Sequence, residues 1–100
     1  MRRRAARIDG NHEAVVEALE TVGATVQSLA AVGDGCPDLL VARAGRIYLI
    51  EVKDGSKPPS ARALTADQRR WIDWFNGDVH VVTSVQEAID VVTKQGGVSA

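Results

Sequence analysis

Two acids and a lysine, Asp38, Glu51 and Lys53, stand at spacings that suit chemistry. They lie in the stretch GCPDLLVARAGRIYLIEVKDG, from Gly35 to Gly55, which reads as a β-hairpin. Asp38 opens a first strand that continues to Ala42, Ala44-Gly45 makes the turn, and Arg46 to Lys53 returns. Side chains alternate along a strand, so Glu51 and Lys53 share a face with Ile47 and Leu49, while Tyr48, Ile50 and Val52 take the other. Hydrolysis of a phosphodiester needs positive charge in the transition state and an activated water. A hard divalent cation on oxygen ligands supplies both. Asp38 and Glu51 offer two such ligands from adjacent antiparallel strands, and the carbonyl of Val52 offers a third. Lys53 would reach the attacking water or the phosphate. Without a cation the two carboxylates repel each other, and all three charges are costly to bury unless paired or metal-bound. A structural reading competes: Lys53 forms a salt bridge with Asp38 or Glu51 at a sheet end.

The rest of the chain supplies elements to hold the hairpin. Residues 11–22 predict a helix, with Val15, Leu19 and Val22 at i, i+4 and i+7; Asn11 or Asp9 can cap its start and Gly23 stops it. Residues 24–30 suit a strand, and Gly33-Asp34-Gly35 a flexible link. Apolar residues on both faces of the returning hairpin strand place it mid-sheet, covered on both sides. Lys57-Pro58-Pro59-Ser60-Ala61-Arg62 is a loop, because two prolines remove two backbone donors. A helix starts near Thr65, where Thr65-Ala66-Asp67-Gln68 matches a capping box. Trp71, Ile72 and Phe75 form its apolar stripe and Asn76-Gly77 ends it. Gln68 lies in phase with that stripe, so its amide needs a partner besides its cap. Residues 79–83 suit a strand, and Ser84-Val85-Gln86-Glu87 is a second capping box that opens a last helix. The order α-β-β-β-α-β-α predicts an α/β fold, a mixed central sheet flanked by helices on both faces. The expected division is one domain over residues 11–93, a flexible basic arm over 1–10 and a tail over 94–100 that frays around Gly96-Gly97.

Pro37-Asp38, twelve residues, then Glu51-Val52-Lys53 resembles the PD-(D/E)XK nuclease signature. Gly35-Cys36-Pro37-Asp38-Leu39-Leu40, Gly45-Arg46 and Leu64-Thr65-Ala66-Asp67-Gln68 resemble the VRR-NUC and Holliday-junction-resolvase branch, in particular small phage-type stand-alone members. The resemblance spans residues 11–93 and implies a restriction-endonuclease-like αβββαβ core. It also implies that Asp38, Glu51 and the Val52 carbonyl bind Mg²⁺ or Mn²⁺. Lys53 would orient the nucleophilic water or stabilise the leaving charge, and Gln68 would support the site from its helix. The match departs at the first helix, where many relatives place another acid. Here the apolar stripe extends towards Asn11 and His12, whereas Glu13, Glu17 and Glu20 fall on the solvated face. Asn11, His12 and Glu13 stay open for that position.

Composition bounds the function. A 45% hydrophobic and 25% charged chain is ordinary for a soluble globular domain, and no apolar run approaches the length of a bilayer span. MRRRAAR has no apolar segment behind it and is not a secretory signal. One cysteine excludes an internal disulfide and agrees with a cytoplasmic location. A net charge of −1 argues against coating nucleic acid by bulk electrostatics, but the charge comes in blocks. Residues 1–12 and 43–70 are basic, whereas 13–42 and 71–100 are acidic. Arg43, Arg46, Lys57, Arg62, Arg69 and Arg70 are candidate phosphate contacts, which position DNA without reading sequence. Cys36 suits a small buried residue, His80 lacks a second zinc ligand at useful spacing, and Trp74, off the stripe, is expected to be partly buried. Trp74 could alternatively stack on a base or pack in a dimer interface.

These readings predict a divalent-metal-dependent endonuclease acting on DNA. It would be structure-directed, because 100 residues leave little room for a separate reading domain. Cutting two strands at a junction would require a homodimer. No membrane and no organic cofactor are expected. The alternatives are a catalytically inactive DNA-binding or partner-docking module on the same fold, and a small metabolic phosphohydrolase.

Overall fold

The computed structural model describes residues 10–98, so nearly all of the expected basic arm lies outside them. Helix α1 (His12–Thr21) leads into strands β1 (Thr25–Ser28), β2 (Leu39–Arg43) and β3 (Arg46–Val52). A 3-10 turn (Pro59–Ala61), helix α2 (Ala66–Phe75), strand β4 (His80–Val82) and helix α3 (Val85–Val98) follow. The four strands form one mixed sheet in the order β1-β2-β3-β4, antiparallel except for the β3/β4 pair.

Local chemistry accounts for the boundaries. Helix α1 ends at Gly23, φ +92°, whose N–H donates to Glu20 O while Ala24 N–H donates to Leu19 O, both at 3.0 Å. The hairpin turns on Ala44 and Gly45, with φ of 53° and 82°, a two-residue turn whose twist matches that of the strands. Thr65 caps α2 in a complete capping box, and Asn76 closes that helix in the left-handed conformation. At α3, Ser84 Oγ accepts from Glu87 N–H, but the Glu87 carboxylate reaches back one residue further than a capping box would, to Thr83 N–H at 2.7 Å. The helix then runs through Gly96 and Gly97 to Val98 instead of fraying from residue 94. Each glycine costs a helix only about 1 kcal/mol, too little to end it alone.

The core occupies one face of the sheet. Leu39, Val41, Tyr48, Ile50, Val52 and Val82 meet Val15 and Leu19 of α1 and Ala88 and Val92 of α3. On the opposite face Leu40, Ile47 and Val81 are exposed, Ile47 by 72%. Strand β3 is central, as its composition predicts, but it is not covered on both sides along its length. Helix α2 contributes no buried residue, and its ten residues span only about 15 Å. Its Gln68 end meets Glu51 and Lys53, while Trp71 and Phe75 only border a hollow over Leu40, Ile47 and Leu49 and leave Ile47 exposed.

Candidate active site

The register that pairs Leu39 with Ile50 carries on to set Asp38 opposite Glu51 at the end of the hairpin. Asp38 Oδ2 accepts from Val52 N–H at 2.8 Å and so extends the ladder by one side-chain rung. A strand residue points its N–H and C=O to the same neighbour, so the Val52 carbonyl also faces the Asp38 side. Lys53 N–H turns the other way, to Val82 O on β4 at 2.8 Å. Glu51 and Lys53 are only 3% and 8% exposed. The closed face behind them fixes the backbone from which they project.

Gln68 ties these charges to α2. Its backbone N–H donates to Thr65 Oγ1 at 3.1 Å, and its Oε1 accepts from Thr65 N–H at 2.9 Å. The same Oε1 accepts from Lys53 Nζ at 2.8 Å, while Nε2 donates to Glu51 Oε2 at 2.9 Å. Capping and site support are thus one arrangement. A neutral amide offers an acceptor to the ammonium and a donor to the carboxylate, which satisfies both buried charges. Lys53 Nζ lies 3.7 Å from Glu51 Oε2, an ion pair longer than a hydrogen bond. The salt bridge of the structural reading exists, then, but Gln68 carries the hydrogen bonds within it.

Asn11, at the start of the first helix, braces the strand ends. It makes no side-chain cap bond to α1, contrary to its expected role. Its Nδ2 donates instead to Lys53 O and Thr83 O, each at 3.2 Å, pinning the ends of β3 and β4 together. Asn11 Oδ1 and His12 Nδ1 are buried with no hydrogen-bond partner among the described residues. Glu13 is exposed, as its helical phase predicts.

Asp38, Glu51, Lys53 and Gln68 open into one cleft of about 600 Å³, bordered by the Gly33–Cys36 loop, Lys57 and the start of α2. The Gly33-Asp34-Gly35 link makes a left-handed turn. All three residues have positive φ, and a Cβ at Gly35 would run into the backbone oxygen of Asp67. Glycine is what lets this loop close against α2. Burial first, then the charges of Glu51 and Asp38, push the Cys36 thiol above its usual pKa, which disfavours a reactive thiolate.

No three His, Cys, Asp or Glu side chains converge among the described residues. A cation here would take two carboxylates and complete its shell with a main-chain carbonyl and water. That all-oxygen set fits Mg²⁺ or Mn²⁺, which keep several waters, and it does not fit a structural zinc. Two acids facing each other, one nearly buried, are also the arrangement that a bound cation relieves.

The basic residues divide. Lys57 lines the cleft, and Arg62 Nε donates to Lys57 O at 2.7 Å, which orders that loop. Arg69 is exposed on α2, and Arg70 pairs with Asp67 at 2.8 Å. Arg43, a candidate phosphate contact, is engaged within the fold. Its Nε donates to Val22 O at 2.9 Å and its guanidinium to Val92 O at 3.2 Å, so it ties α1 and α3 to the hairpin. Residue 43 has the parity of Leu39 and Val41, the closed face. Arg46 sits at the turn, five residues from Glu51 and about 17 Å away along the strand. Trp74 is 70% exposed rather than partly buried. His80 lies against Tyr48, ring centroids 6.0 Å apart.

Sequence patterns missed the struts. Asn11 was in phase with the stripe, but its partners lie 42 and 72 residues away. The close approach of Gly35 to α2 has no local signal beyond the glycine itself.

Comparison with solved structures finds similarity to a VRR_NUC domain, with a TM-score of 0.58 and 30% sequence identity, over 80% of this chain and 87% of that one. No family model matches the chain, and no curated protein matches it.

Proposed function

The chain belongs to the VRR-NUC family, and from that premise we propose that it is a divalent-metal-dependent endonuclease of DNA. Its α/β sheet and helices form the restriction-endonuclease-like core of the PD-(D/E)XK nucleases. One observation carries the reading: Asp38 faces Glu51 across the hairpin end while Gln68 bridges Glu51 and Lys53 in the same cleft. Asp38, Glu51 and the Val52 carbonyl would hold Mg²⁺ or Mn²⁺, which supplies positive charge and acidifies a bound water. Lys53 holds its ammonium over the cleft, where it orients the nucleophile or meets charge developing on the phosphate. Gln68 keeps Lys53 from collapsing onto Glu51. Asn11 pins the strand ends, so that the lysine projects from a fixed backbone. Lys57, which lines the cleft, and Arg62, Arg69 and Arg70 would serve as phosphate contacts that do not read sequence.

Branched or junction DNA is the proposed substrate, and cleavage of both strands of a junction calls for a homodimer. A cytoplasmic setting suits the lone Cys36. No helix among the described residues is long and apolar enough to cross a membrane.

The test is Mn²⁺-dependent cleavage of linear, flap and four-way DNAs by the purified protein. Folded protein that leaves all three intact sinks the proposal. A non-catalytic docking module on the same fold is the second reading, favoured because no third acid joins Asp38 and Glu51 among the described residues. Calorimetry separates them: a saturable Mn²⁺ site lost in Glu51→Gln supports the nuclease, and no site at all supports the module.

A further inference from the structure

Helix α2 carries an aromatic shelf that the proposed hydrolysis does not use. Trp71 stacks on Phe75, ring centroids 4.7 Å apart and planes 21° from parallel, and meets Trp74 edge-on at 5.6 Å. Trp74 is left 70% exposed. Against the shelf lies a cavity of about 420 Å³, walled by Trp71, Trp74, Arg70, Asp67 and Asp34. Asp34 and Asp67 also wall the cleft that holds Asp38, Glu51 and Lys53. The two hollows therefore adjoin across a shared acidic rim.

We propose that this shelf is a stacking site for an unpaired nucleobase of the DNA, a feature that rests on the nuclease reading and names what the enzyme recognises. An exposed indole face beside an arginine is the chemistry that holds single-stranded nucleic acid. The two rim carboxylates refine it. They repel a phosphate, but they accept hydrogen bonds from the N–H edge of a base, which a duplex hides and a branch or bulge exposes. Arg70 is held to Asp67 only by a surface pair, its ends 66% and 67% exposed, and such pairs contribute little. The guanidinium can thus turn to a backbone phosphate while Asp67 turns to the base. Because the hollows adjoin, a strand whose base rests on Trp74 has its neighbouring phosphates beside the cleft. A second copy of the chain fits less well, since it would desolvate Asp34, Asp67 and Arg70 against an apolar surface.

The test measures affinity without turnover. Fluorescence anisotropy in EDTA compares three labelled DNAs: an unbroken duplex, the duplex with one unpaired guanine, and the duplex with an abasic residue at that bulge. The wild type should prefer the guanine bulge over the abasic one by roughly tenfold. Trp74→Ala should erase that preference and leave unbroken-duplex affinity unchanged, and Trp74→Phe should retain most of it. The exposed position makes misfolding of either variant easy to check by circular dichroism.

A preference that survives Trp74→Ala overturns the proposal, as does equal loss on all three DNAs or no binding to any. A wild-type dimer that Trp74→Ala splits in sedimentation assigns the shelf to a second copy and also overturns it. Cleavage of the same DNAs with Mn²⁺ reads the nuclease proposal separately. Base preference without cleavage removes that proposal alone, and cleavage without base preference removes the shelf alone.

Discussion

On one face of the sheet, Leu39, Val41, Ile50, Val52 and Val82 are sealed under α1 and α3; on the other, Leu40, Ile47 and Val81 stay exposed and only α2 leans over one end. The closed face is held by apolar packing around residues with almost no exposure. The open face meets α2 through the hydrogen bonds of Gln68 and the close approach of Gly35 to Asp67, and Trp71 and Phe75 share a hollow with Leu40, Ile47 and Leu49. The difference teaches how a small domain places charges. Glu51 and Lys53 need a rigid backbone, which the closed face supplies, and an approach for substrate, which the open face supplies. Side chains held from behind and linked sideways keep their geometry without a second layer over them.

The largest test of this contrast removes the chemistry and leaves the scaffold. Asp38→Asn or Lys53→Ala should lower cleavage by roughly 10²–10³-fold or more with the circular dichroism spectrum unchanged. Residual activity near wild type would place the reaction elsewhere in the molecule. Next comes the scaffold itself. Leu39→Ala should destabilise the fold by about 2–5 kcal/mol in urea unfolding, whereas Ile47→Ala should stay within about 0.5 kcal/mol. If Ile47→Ala costs as much as Leu39→Ala, the open face is covered in solution and the contrast collapses.

Gly35→Ala should cost about 1–3 kcal/mol, because an L side chain at φ +87° is strained and its Cβ meets the Asp67 backbone. Its cleavage should fall with its stability, since α2 must shift. Gln68 separates the two jobs of one residue. Gln68→Ala should lower activity about 10–100-fold and weaken the α2 cap by about 1 kcal/mol. Gln68→Glu should keep the cap and still lose activity, because it sets a carboxylate beside Glu51. Full activity and unchanged stability in Gln68→Glu would mean that Gln68 acts only as a cap. The smallest contrast is among arginines. Arg69→Ala should reduce the salt slope of DNA binding by about one, and Arg46→Ala at the turn should leave it unchanged.

Much of this was legible locally. Strand parity put Glu51 and Lys53 on one face, the Ala44-Gly45 turn set the register that brings Asp38 opposite Glu51, and Thr65-Ala66-Asp67-Gln68 announced the cap of α2. Gln68 was legible as an inward amide in need of partners, though not as one that serves cap and site together. Arg43 misled because a basic residue in a basic stretch reads as a phosphate contact. Its parity pointed to the closed face, where the carbonyls of Val22 at the end of α1 and of Val92 within α3 accept from it. Trp74 misled because burial is the default for tryptophan, and no local pattern says that a ten-residue helix will bury none of its residues.

The sequence by itself determined the hairpin, its register, the helix ends and the identity of the acids and the lysine. Each of these depends on neighbours within a few residues, where alternation, helical phase and turn geometry act. Only the tertiary structure decided that Asn11 clamps Lys53 and Thr83, that Arg43 ties α1 and α3 to the hairpin, and that one sheet face stays open beside an aromatic shelf. Those outcomes turn on which distant carbonyls and faces meet once the core has closed. A backbone carbonyl is the same acceptor at every residue, so no residue type marks the one that a distant side chain will find.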